Sequence, residues 1–178
     1  KGHELVGAEC SVHTFQIGNL PVTQESREAL KRNFLSFVPD VVFTMWGMDI
    51  HPDHRAAAIL AIEPFLEKGV GTELFAMEVC SRVGVPQTLG FAPTHYVDIA
   101  GEPMQKKLLM VLCHESQCTE KILDTHKSLE KNRGVECGVD RAEAFVRLTR
   151  RGELAEWLKP LFILSPFTLP RIVGIDAK

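Results

Sequence analysis

Nowhere in its 178 residues does the chain carry a run approaching the roughly 20 consecutive apolar residues that a bilayer span needs, because charge or proline breaks every apolar stretch. A membrane span is therefore not expected. The 20 lysines and arginines are scattered instead of gathered in a stripe, and the net charge is −3. That leaves no electrostatic footprint for a polyanion, and no nucleic-acid partner is expected. The five cysteines (Cys10, Cys80, Cys113, Cys118 and Cys137) include no C-x-x-C pair. Neither a disulfide framework nor a thiolate zinc site is indicated; five small buried hydrophobes in a reducing cytosol fit better. Internal repeats, low-complexity tracts and linkers are absent too. The opening Lys1-Gly2-His3-Glu4 has no apolar h-region and no initiator Met, so no targeting signal is read there and residues are expected to precede it.

With 45% hydrophobic and 24% charged residues, the chain has the composition of one core-forming domain of ordinary size. Residues 1–10 read as the last turns of a helix, and Ser11–Ile17 alternates apolar and polar residues with the period of a half-covered strand. Thr23 looks like an N-cap for a helix carrying Leu30, Phe34, Leu35 and Phe37 at helical spacing and ending before Pro39. The run from Asp40 to Trp46 reads as a strand buried on both faces. Asp53 can cap a second helix, which Pro64 kinks or ends. Strands are expected over 73–79 and 95–99, and helices over 104–118, 119–132, 142–148 and 153–158. The last twenty residues, with Pro160, Pro166 and Pro170, read as an irregular segment packed on the body, so that about 149–178 forms an extension of the domain. Strand and helix alternate as in an α/β fold: a Rossmann-like, mainly parallel sheet flanked by helices. Such sheets carry their chemistry just beyond the carboxyl ends of the strands.

One polar cluster falls at such a place. Gly47-Met48-Asp49-Ile50-His51-Pro52-Asp53-His54-Arg55 follows the apolar strand, and Pro52 stiffens the turn and biases His51 to an extended conformation. Histidine and aspartate together suit zinc, iron or manganese. Equally, two histidines in a polar loop can be solvent-exposed or can cap a helix, and spacing alone does not choose.

The string Pro39-Asp40-Val41-Val42-Phe43-Thr44 followed by Asp49-Ile50-His51-Pro52-Asp53-His54-Arg55-Ala56-Ala57 resembles the second signature of the LmbE-like/PIG-L family of zinc-dependent de-N-acetylases. Two later segments resemble the family in the same order. They are Tyr96-Val97-Asp98-Ile99 with Lys106 or Lys107 and His114-Glu115-Ser116-Gln117, and then Ala142-Glu143-Ala144-Phe145. The resemblance implies removal of an N-acetyl group from an amino sugar or sugar conjugate by a water activated on one Zn2+ per chain. It implies that His54 is a metal ligand, that His51 is the imidazole stabilising the oxyanion or protonating the leaving amine, and that Asp53 is its carboxylate partner. A homo-oligomer is implied as well. The family's first signature, His-Pro-Asp-Asp-Glu, is not in this sequence. It supplies the remaining ligands and the general base, so a domain lacking its first strand or strands is expected here, with a segment upstream.

Other residues carry weaker signals. Arg82 could bind substrate hydroxyls or be a solvated surface residue. Trp46 could stack on a sugar or be plain core. His114, with Gln117 a turn on, could support the site from behind or sit in the core, and Asp49 could back an imidazole or simply make the turn. A competing reading is a non-catalytic relative acting as a carbohydrate-binding or oligomer-forming module.

Overall fold

The computed structural model describes residues 1–68, 72–79, 86–116, 119–150 and 153–154. Helix α1 (Gln24–Phe37) starts where the sequence places it, because Thr23 and Ser26 form a reciprocal capping box. The Ser26 backbone N–H donates to the Thr23 hydroxyl, and the Thr23 N–H donates to that of Ser26. These bonds satisfy donors that the first helical turn leaves free. Strand β1 (Val41–Met45) follows, then α2 (Pro52–Lys68) with Pro64 inside it, then β2 (Glu73–Met77). Strand β3 (His95–Asp98) leads into α3 (Glu102–Leu112), and α4 (Thr119–Cys137) into β4 (Ala142–Arg147). Two short strands, β5 (Thr149–Arg150) and β6 (Glu153–Leu154), pair separately. Short 3-10 turns lie at His3–Val6 and Pro86–Leu89.

The main sheet has the order β1-β2-β4-β3. β1 and β2 are parallel, while β4 runs antiparallel to both of its neighbours. Three strands therefore point one way and the fourth returns between them, which makes an α/β fold with a mixed sheet. Val42 and Thr44 lie opposite Leu74 and Ala76, and Ala76 lies opposite Val146. These residues share one face, and Trp46, Ile62, Phe91 and Leu148 join them in the core. Leu74 and Ala76 are wholly buried. The other face is more open: Val41, Phe43 and Val97 are about half exposed, with Phe43 against Phe75 and Phe145.

Several expectations need correction. Residues 11–17 form no strand; the segment is exposed throughout, with Val12 and Ile17 81% and 90% exposed. Period-two alternation is a local pattern and makes a strand only where a neighbouring strand pairs with it. β1 is covered on the Val42–Thr44 side only, not on both. Residues 142–148, expected as a helix, hold strand β4: burial alternates along Ala142–Arg147, and pairing on both edges overrides the helix preference of Ala, Glu and Arg. Within the expected 153–158 helix, Glu153 and Leu154 pair with β5 instead. Residues 155–178 lie outside the described residues, as do Cys80 and Cys118. Among the described residues Cys10, Cys113 and Cys137 are free thiols, and Cys10 and Cys137 are exposed where burial was expected. No described helix is long and apolar enough to cross a membrane.

Candidate active site

Beyond the carboxyl end of β1 the chain turns sharply, closed by the Asp49 N–H donating to the Trp46 carbonyl at 3.1 Å. The Asp49 side chain is 4% exposed and splits its two oxygens. Oδ1 accepts the His51 backbone N–H at 2.7 Å, and Oδ2 lies 3.2 Å from His54 Nδ1. Arg55 closes the loop from behind, its Nη1 donating to the carbonyls of Asp49 (2.8 Å) and Ile50 (2.7 Å). The loop is thus held by its own backbone and by the first turn of α2.

Pro52 occupies the first position of α2, where a missing N–H costs nothing. The capping role expected of Asp53 falls to His51, whose Nδ1 accepts the Asp53 N–H at 3.2 Å. A backbone N–H can only donate, so Nδ1 is the acceptor and the neutral ring carries its proton on Nε2. Asp53 reaches backward instead. Its Oδ2 accepts from Gly18 N at 2.6 Å and its Oδ1 from Leu20 N at 2.9 Å, tying the 18–20 turn to the helix start. These bonds from Leu20 and Gly18, with the nearby His51 and His54, hold the Asp53 carboxyl below its ordinary range. Its Oδ2 stands 4.0 Å from His51 Nδ1, an electrostatic neighbour beyond hydrogen-bond reach.

The two imidazoles lie together, ring centroids 4.7 Å apart and planes inclined by 31°. The His51 side chain is 43% exposed and that of His54 29%. Met48 and Ile50 of the same loop are also partly exposed. Trp46 is not at the mouth of the site: it is 4% exposed, its ring edge-on to Phe91 and its indole N–H bonded to the Leu89 carbonyl. Arg82 and Gln117 lie outside the described residues. His114 is exposed and lines a cleft of about 650 Å³ with Val6, Ile99, Lys107 and Glu143, a lining that includes neither His51 nor His54. In that cleft two of the sequence matches meet, since Lys107 bonds Glu143 and approaches the buried Glu130 at 2.7 Å. Burial disfavours the Lys107 charge, but Glu143 and Glu130 outweigh it and raise the pKa.

Sequence reasoning missed that Asp49 does two tasks at once, and that Gly18 and Leu20 anchor Asp53. The spacing D-x-H-P-D-H carried a signal for the first; nothing local signals the second. A catalytic zinc needs about three protein ligands, yet among the described residues no three His, Cys, Asp or Glu side chains converge on a point. One position fits: His54 turns its buried Nδ1 to Asp49, which leaves Nε2 for a metal. The described residues alone do not complete a zinc centre.

No family model matches the sequence, and no curated protein matches it. Solved structures do. The conserved protein TT1542 from Thermus thermophilus is 28% identical with a TM-score of 0.67, the match covering 82% of this chain and 68% of that one. The N,N'-diacetylchitobiose deacetylase from Pyrococcus horikoshii, solved with its inhibitor MPG, is 23% identical with a TM-score of 0.68, covering 94% of this chain and 64% of that one. The chain thus spans about two thirds of the length of each. At these identities the likeness establishes a shared fold.

Proposed function

We propose that this chain belongs to a metal-dependent hydrolase of the LmbE-like/PIG-L type, which removes an N-acetyl group from an amino sugar or sugar conjugate. The observation that carries the reading is the pair His51 and His54, fixed side by side at the carboxyl end of β1 by Asp49, Arg55 and the helix start. This is where an α/β fold places its chemistry, and the fold is shared with a diacetylchitobiose deacetylase. A bound divalent metal, zinc by resemblance, supplies a water acidic enough to attack an amide near neutral pH. His54 is the residue here that would hold it, and its other protein ligands must come from outside the described residues. His51 carries its proton on Nε2 of a side chain that is 43% exposed, and from there it can donate a hydrogen bond to an amide oxygen gaining negative charge; protonating the departing amine is a task for the same ring once it holds a second proton. Asp53 fixes the loop against the 18–20 turn and places a carboxylate oxygen 4.0 Å from His51 Nδ1. Assembly as a homo-oligomer and a cytoplasmic location belong to the same reading.

The second reading, a carbohydrate-binding relative without catalysis, is favoured by the lack of three converging ligands among the described residues. Acetate release from an N-acetylated glucosaminide, with and without chelator, separates the two. The hydrolase predicts chelator-sensitive release, loss of bound metal in His54→Ala, and metal retained with slowed turnover in His51→Ala. Sugar binding indifferent to chelator, with no acetate formed, overturns it.

A further inference from the structure

Asp49 sits between two groups that make different demands on one carboxylate. Its Oδ1 is committed to the His51 backbone N–H at 2.7 Å, and this bond fixes which way the carboxylate faces. Its Oδ2 then points at His54 Nδ1, 3.2 Å away. That nitrogen is sealed from solvent and has no hydrogen-bond partner as it stands. Buried polar atoms are normally satisfied, and leaving one unpaired is costly. A carboxylate has no proton to give, so only one arrangement satisfies the contact: Nδ1 carries the hydrogen and a small ring rotation closes the bond. The opposite tautomer would set a nitrogen lone pair against an oxygen lone pair in a site that water does not reach.

We infer that Asp49 is a positioning residue that holds His54 with its proton on Nδ1 and its lone pair on Nε2, the reverse of His51 three residues earlier. His51 receives the Asp53 N–H on Nδ1 and so carries its own hydrogen on Nε2. Two adjacent rings of the same residue type therefore offer different chemistry: an electron-pair donor from His54 and an N–H donor from His51. An amide carbonyl held beside a Lewis acid asks for this pairing, one ring to hold the cation and one to bond the oxygen. That use of the pair rests on the proposed hydrolase; the tautomers themselves do not.

The test is long-range 1H–15N correlation of the histidine rings in the full chain, at a pH where both imidazoles are neutral, with His51→Gln and His54→Gln variants to assign the signals. The wild-type spectrum is expected to show His54 protonated at Nδ1 and His51 at Nε2. Asp49→Asn is the decisive variant. The His51 N–H still requires the carbonyl oxygen of the new amide, so its NH2 group must face His54 Nδ1, and the His54 proton is expected to move to Nε2 while His51 stays unchanged. A wild-type His54 protonated at Nε2 overturns the inference, and this spectrum decides alone if Asp49→Asn does not fold. A folded Asp49→Asn with His54 still protonated at Nδ1 overturns it as well. Failure to release acetate, with the tautomers as stated, would count against the hydrolase and leave the role of Asp49 standing.

Discussion

Two charged clusters stand beyond the carboxyl ends of β1 and β2, and they use their polar atoms in opposite ways. Around Glu78, just past β2, the central ion pair is closed. Arg133 from α4 is 3% exposed and the Glu78 side chain 4%. Arg133 Nε and Nη2 grip Glu78 at 2.8 and 2.5 Å, Nη1 donates to both oxygens of Glu136 at 2.7 Å, and the Tyr96 hydroxyl donates to Glu136 at 2.9 Å. The bonds to Glu78 raise the Arg133 pKa further despite burial, and Arg133 in turn holds the Glu136 carboxyl below its usual range. The buried atoms of Arg133 and Glu78 are spent on one another and on Glu136, which alone of the three reaches the surface. Around Asp49, past β1, the bonds run mostly to backbone, and both imidazoles remain partly exposed. The same kinds of residue therefore build a strut in one place and an open site in the other. The distinguishing mark is where the bonds end, not how many charges are present.

The comparison can be broken most severely at the strut. Glu78→Ala leaves the Arg133 guanidinium buried without its main partner, and the expected loss is about 3–5 kcal/mol of stability by urea denaturation. A loss under about 1 kcal/mol would mean that water reaches Arg133 readily. His51→Ala should divide its effects differently. Removing the helix cap costs about 1 kcal/mol, whereas the proposed hydrolysis should fall about 10²–10⁴-fold. Equal and small effects on both would make His51 a cap and nothing more. Arg55→Met removes two donors to the Asp49 and Ile50 carbonyls. About 1–2 kcal/mol should be lost, and a thermal midpoint unchanged from wild type would show that the loop keeps its shape without them.

The smallest effect lies in pH. Asp53 titrates lower in the folded protein than its ordinary value of 3.8, because Leu20 and Gly18 donate to its charged form. The stabilisation is fully present above the unfolded value and is lost as pH falls through the folded one. Wild type should therefore lose this share of its stability on acidification below about pH 4. Asp53→Asn, unable to titrate, should show a flatter acid limb in stability measured against pH; an unchanged acid limb would mean that the Gly18 and Leu20 contacts are not kept in solution.

What can be read from the sequence follows the range of the forces concerned. The Thr23 cap, the apolar runs of β1 and β2, and the polar loop from Asp49 to His54 are local, and each appears in the structure close to its expected place. β4 reads as a helix because its residues favour one, and only neighbours distant in sequence, β2 and β3, make it a strand. The same limit applies in the site. Asp53 finds Gly18 and Leu20 at separations of 35 and 33 residues, and Lys107 finds Glu143 at 36. Trp46 is assigned to the core by Phe91 and Leu89, which pack against it from a separate stretch of chain. Asp49 is legible as a turn residue, but its hold on His54 depends on the first turn of α2 being in place.

The most direct measurement of the central claim is acetate released from an N-acetylated glucosaminide by the wild-type protein and by His51→Ala and His54→Ala, each assayed with metal content determined in parallel. The account predicts chelator-sensitive release by wild type, metal retained with slowed turnover in His51→Ala, and neither metal nor turnover in His54→Ala. Release unchanged in both variants, or unaffected by chelator, would contradict it.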